Sequence, residues 1–382
     1  MTWLLALLVF VVSRRADAYS WMIRHDYGGC GSCHADPSGG GPLTEYGRAQ
    51  GDLLLRMRYG STDEEPSRSS EWLLGLVAPP SWFLGGGDVR AMGLATKANG
   101  AALSTDFLLM QADLRAVIAA GGFRAGASVG AVSSEGSAAS VVGPVVSREH
   151  WAGYAFLDNA LLIRAGRINL PFGIRSVEHP LFVRRDTRTD LNDTQQHGVA
   201  VAYSGERVRG EILGIAGNYQ IQPDDYRQRG YSGFLEYSPF ARLAVGASSL
   251  VTYAKRDLYL QTADLRQAHG LFVRTAPVRP LVILAEGDLV LHALDGPANQ
   301  TGYATMLQAD LEPIQGLHFI STLELKSPGT ANTGASYGGW AGVNWFFLPH
   351  ADVRFDAMQQ RMALGRSSIH LTNYMIQLHA YL

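Results

Sequence analysis

From about residue 82 to the C-terminus, apolar and polar side chains alternate with a period of two. In 281–292, Ile283, Ala285, Leu289 and Leu291 alternate with Glu286, Asp288 and His292, and in 302–311 Tyr303, Leu307 and Leu311 oppose Gln308 and Asp310. In 106–117 the pattern puts Leu108, Met110, Ala112, Leu114 and Ala116 on one face, with Gln111, Asp113 and Arg115 on the other. Successive side chains of a strand point to opposite faces, so such runs predict strands with one apolar and one polar side. Their length exceeds the roughly five or six residues of an ordinary soluble strand and suits the tilted span of a membrane barrel.

Strands are predicted at 82–96, 104–117, 122–133, 149–157, 160–167, 197–204, 207–217, 229–238, 241–254, 266–276, 280–293, 301–312, 316–326, 336–347, 350–361 and 368–381, about sixteen in all. The connections alternate. Asp158-Asn159, Gly205-Glu206, the Ser238-Pro239-Phe240 corner and Leu348-Pro349 are tight, whereas those between them are mostly longer and polar. Short turns at one end and longer loops at the other predict an all-β fold, a transmembrane antiparallel β-barrel, rather than a soluble sandwich. An even strand number brings both barrel termini to the short-turn, periplasmic side. The longest connection, about 169–196, carries Arg184, Arg185, Asp186, Arg188, Asp190 and Asp193 and is expected to fold inward and narrow the lumen. Glu286, Asp288, Asp310, Arg354 and Asp356 are expected to face that lumen.

The chain before the barrel follows other rules. Trp3 to Val12 is an apolar run followed by Ala16-Asp17-Ala18, a small-x-small cleavage pattern, so 1–18 is expected to be an export signal. Ser61 to Ser70 is polar and lacks core-forming residues, which predicts a linker over 61–81 ahead of the barrel at 82–382. Between them lies a segment, 19–60, with little helix: Thr44 is a fair N-cap for a run from Tyr46 to Tyr59.

That segment holds both cysteines of the chain, in Cys30-Gly31-Ser32-Cys33-His34. In an exported protein this is the signature of one covalently attached haem c, with Cys30 and Cys33 bound to the vinyl groups and His34 as axial ligand to the haem iron. A disulfide would leave His34 without a role, and structural zinc would find only His25 nearby as a further ligand. The sixth iron ligand stays open, with His25, Met22 and Met57 within reach of the chain. About fifty residues make a marginal domain, so the barrel is expected to wall the porphyrin. Over 382 residues the net charge is −2, which removes the basic excess of a nucleic-acid binder.

Two resemblances follow from these residues. Arg164-Ala165-Gly166-Arg167-Ile168-Asn169-Leu170-Pro171-Phe172-Gly173 resembles the strand-and-loop entry of phosphate-selective-type porins. The haem motif, followed closely by Pro42-Leu43-Thr44-Glu45-Tyr46-Gly47-Arg48 and then a barrel, resembles the fused outer-membrane monohaem cytochrome-porins associated with extracellular iron oxidation. That second resemblance implies an electron conduit in the bacterial outer membrane, between an extracellular donor or acceptor such as ferrous iron and a periplasmic c-type cytochrome or other carrier. It leaves open an iron oxidase-type activity and assembly as a homo-oligomer. The alternative is a diffusion porin whose haem segment is a plug or redox sensor. Haem-dependent peroxide reduction is a weaker third reading, which requires an open iron position.

Overall fold

A computed structural model describes residues 20–37, 39–61, 65–131, 145–176, 178–191, 194–330 and 333–382. The expected export segment 1–18, Ser38 and Asp193 lie outside the described residues. Long alternating runs produce long strands: β1 (Phe83–Ala98), β2 (Ser104–Ala120), β3 (Phe123–Ala131), β4 (Val145–Val146), β5 (His150–Phe156), β6 (Leu161–Ile168), β7 (Gln196–Ser204), β8 (Val208–Gly217) and β9 (Arg229–Phe240). They continue as β10 (Leu243–Ala254), β11 (Asp264–Val278), β12 (Leu281–Leu294), β13 (Gln300–Ile314), β14 (Leu317–Ser327), β15 (Ser336–Leu348), β16 (Ala351–Leu364) and β17 (Ser367–Tyr381).

The two-residue β4 and the longer β5 both pair with β3, so together they make one broken stave, and the barrel has sixteen. Every stave is antiparallel to its neighbour in sequence. Pairing of β17 with β1, from Asp88↔Tyr381 to Ala98↔Leu371, closes the cylinder and leaves no open edge.

The two faces separate by chemistry. Leu307, Leu323, Leu271, Leu235, Ile376 and Leu378 project outward, exposed, whereas Gln308, Asp310, Glu286, Asp288, Arg354 and Asp356 are buried on the inside. Exposed aromatics gather near both rims, Tyr154, Phe156, Tyr237 and Phe240 by the short turns, Phe107, Tyr253, Tyr337 and Tyr374 toward the long loops. An outward apolar band between aromatic girdles is the surface a bilayer demands.

One predicted face is corrected. Gln111 pairs with Arg90 but Leu109 with Ala91, so Met110 is an extra residue in β2 and the phase inverts there. The outward set is therefore Phe107 and Leu109, then Ala112, Leu114 and Ala116, rather than a continuous row from Leu108. A bulge places two residues opposite one, which no count of period along a single strand reveals.

The lumen is filled from both ends. From the long-loop side, the connection between β6 and β7 folds inward and buries Phe172, Ile174, Leu181 and Phe182, with α2 (Phe182–Asp186) inside it. Arg184 pairs with Glu286 of β12, Lys326 of β14 with Asp186 at 2.8 Å, and Arg354 of β16 with Glu178 at 2.8 Å, which pins the loop across the cylinder. From the short-turn side, the N-terminal segment packs into the mouth. Arg24 bonds Asp310 at 2.7 Å and Glu312 at 2.9 Å, and Trp21 lies against His318 with ring centroids 4.5 Å apart. Farther along, Gln315 of the β13–β14 turn donates to the carbonyls of Leu53 and Arg56.

The stretch over 65–81 departs from a free linker. Ser67 N donates to Asp52 Oδ2 at 2.6 Å, and His350 Nε2 lies 2.9 Å from the Ser70 carbonyl. Polar composition marked it as unable to form a core of its own, yet its backbone bonds to the plug and to a barrel turn.

Candidate cofactor site in the barrel lumen

Cys30 to His34 forms a tight turn. The amides of Cys33 and His34 both donate to the Cys30 carbonyl, at 3.2 and 3.0 Å. The following residues double back, so that Ala35 N meets Pro42 O at 3.0 Å, His34 bridges to Leu43, and Thr44 N donates to Cys33 O at 2.8 Å. The expected N-cap is present: Thr44 Oγ1 accepts from Gly47 N at 3.0 Å and opens α1 (Glu45–Gln50). The helix is shorter than predicted. After Gln50 it widens into a π-turn over Gly51–Leu55 and stops, and Gly51 at that junction weakens the helix. The first turn of α1 rests directly on the motif. A Cβ at Gly47 would run into the Cys33 carbonyl, so this close approach requires glycine.

The motif borders a cavity that opens to the lumen. Cys33 and His34 line it, with Gly39, Gly40 and Gly41 on the plug side and Gly86, Gly87 and Arg90 of β1 opposite. Cys30 lies beside it, its Sγ 3.6 Å from Arg209 Nη1. Neither ring nitrogen of His34 meets solvent or a hydrogen-bond partner of normal geometry. Burial pushes its imidazole down to about 4, and the positive charge of Arg115 adds to this against weaker support from the Gly41 and Gly40 carbonyls and Asp36. A neutral imidazole is the form that binds metal.

These residues fit a covalently held porphyrin: two thiols at the required spacing, a neutral imidazole with orphaned nitrogens, and a void floored by glycines. Of the sixth-ligand candidates, Met22 lines the same cavity as His34 and is only 2% exposed. His25 points elsewhere, with Nε2 3.9 Å from Glu312, and Met57 lies at the barrel mouth, where its amide donates to Phe346 O at 2.8 Å. His179 of the inward loop also reaches the cavity, its Nδ1 3.0 Å from Asp190. Sequence reasoning missed it because only tertiary folding brings the loop over the plug.

Asp36, two residues past His34, anchors the motif to the wall: Arg164 Nη1 bonds it at 2.8 Å while Arg164 Nη2 bonds Glu211 at 2.7 Å. Arg164 opens the porin-like stretch noted above, so that stretch contributes an anchor as well as a loop. Beside it, the Glu149 carboxylate accepts from the Asn169 amide.

The cylinder superposes on solved barrels. A loop-deletion mutant of the outer membrane protein OmpT of Vibrio cholerae matches with a TM-score of 0.59 at 12% identity, over 78% of this chain and 99% of that one. The fold is that of outer-membrane porins. An anion-selective porin from Comamonas acidovorans matches with a TM-score of 0.59 at 11% identity, over 78% and 99%, and the outer membrane channel DcaP of Acinetobacter baumannii with 0.57 at 11%, over 78% and 97%. No family model and no curated protein matches the chain. At such identities the likeness concerns the cylinder alone.

Proposed function

We propose that the protein is an outer-membrane cytochrome-porin whose plug carries one haem c and relays electrons between an extracellular redox partner, ferrous iron among the candidates, and a periplasmic carrier. The observation that carries this reading is the position of Cys33 and His34 on a cavity inside a lumen occupied from both ends. The bound group supplies one-electron chemistry at iron. The chain does the rest. Cys30 and Cys33 would tether the group, and neutral His34 and Met22 would hold its iron. The Arg164–Asp36 pair fixes the motif against the wall, and the inward loop and plug exclude bulk water from an apolar band roughly 25 Å tall. Because the short-turn end faces the periplasm in this class, the plug would sit toward the periplasmic carrier.

The porin neighbours bear on the channel alone, and they support a second reading better than they support electron transfer: a diffusion porin in which the segment is a plug or redox sensor. Reconstitution separates the two. Proteoliposomes of a conduit reduce or oxidise an entrapped acceptor from outside while holding back small solutes. Vesicles that leak sugars freely and move no electrons overturn the conduit.

A further inference from the structure

Around the cavity most charges are paired. On β2, Asp113 takes Arg115 at 3.3 Å and Arg148 at 2.8 Å, as well as the Gln111 amide at 2.7 Å; across the wall, Asp88 is 3.4 Å from His379 Nε2. Among the described residues two charged groups lining the cavity form no ion pair: Glu149, whose carboxylate takes the Asn169 amide, and Arg90. Arg90 is 6% exposed, lines the cavity beside Cys33 and His34, has no partner at Nε, and meets only His379 Nε2, at 3.4 Å, through Nη2. Among the described residues no carboxylate forms an ion pair with it. A buried guanidinium that no carboxylate touches is costly: the nearby charge of Asp88 attracts it, but that carboxylate is engaged by His379 and does not replace the lost hydration. Its planar fork matches a carboxylate.

We infer that Arg90 is a carboxylate-binding residue of the cavity, and that its partner is a propionate of the porphyrin tethered at Cys30 and Cys33. This rests on the haem reading. Tethering brings two carboxylates into the cavity that Arg90 lines, whereas a free anion passing through the lumen would have the same chemistry without being held there.

The test uses the full-length protein with Arg90→Gln and Arg90→Lys, each assayed for heat-modifiable migration to show a folded barrel. Three readouts are taken: covalent haem per chain on a denaturing gel, midpoint potential, and anion-over-cation selectivity in a chloride gradient across a planar bilayer. A positive charge beside haem favours the reduced form, which carries one unit more negative charge. Arg90→Gln is therefore expected to keep its covalent haem and lower the midpoint by about 59 mV, a tenfold shift for one electron. Arg90→Lys is expected to retain most of the wild-type potential, and selectivity to stay unchanged. A coloured Arg90→Gln protein with wild-type potential overturns the inference, and a concurrent loss of anion selectivity would assign the site to a free anion. A colourless wild-type protein overturns the haem reading and this inference with it.

Discussion

The spacing of Cys30, Cys33 and His34 carries the haem proposal, and replacing both cysteines with alanine is expected to abolish haem colour on a denaturing gel while the barrel keeps its heat-modifiable migration. Two other residues matter as much to the motif, and nothing in their local sequence says so. Gly47 touches the Cys33 carbonyl, so Gly47→Ala should overpack the plug by about 1–3 kcal/mol. The expected readout is a lower temperature for loss of haem absorbance at unchanged barrel melting. Arg164 balances two buried carboxylates. Arg164→Ala leaves Asp36 and Glu211 without it, a loss of about 3–5 kcal/mol for a buried pair broken from one side. Limited proteolysis should then cut the N-terminal segment well before the strands, and resistance equal to wild type would show that the pair does not anchor the plug.

The inward loop is held by side chains that arrive from distant strands. Its tail is clasped by a bidentate pair, Arg188 to Asp257, with the amides of Tyr259 and Leu260 each donating to Asp257 at 2.9 Å. Burial by itself would raise the Asp257 carboxyl, but the Arg188 guanidinium and these amides together hold it below the usual carboxylate range. A carboxyl depressed in the folded state contributes stability above its ordinary value, about 3.9, and loses it as pH falls through the lowered one. The clasp should therefore persist at neutral and mildly acidic pH and release only below about pH 4. Single-channel conductance of wild type is expected to stay flat from pH 7 to 5 and rise below that point, and Asp257→Asn should show the raised level already at pH 7. The charged residues in 169–196 marked a loop expected to fold inward. What holds it there is supplied by Glu286, Glu324 and Arg354, more than a hundred residues away in sequence.

As a whole, the molecule is a cylinder closed by its own chain. Removing residues 20–60 deletes the Arg24 pairs to Asp310 and Glu312 and the Asp36 pair to Arg164, and leaves the stave pairing untouched. The truncated barrel should fold, bind no haem, and conduct ions several-fold better than the full chain in planar bilayers. Equal conductance would mean that the segment does not obstruct the lumen.

The staves were legible from end to end because a two-residue period reports directly which side of a strand meets lipid and which meets the lumen, and most predicted boundaries fall within a few residues of those observed. The motif at Cys30, Cys33 and His34 was legible as a proposal because its groups are neighbours in the chain. The Met110 bulge, the Gly47 contact, the Arg164 anchor and the unpaired Arg90 were not, since each is defined by a partner in another strand or in the plug. Local alternation and spacing are properties of one segment, whereas register, ion pairing and cavity shape exist only once the cylinder has closed around its N-terminal segment.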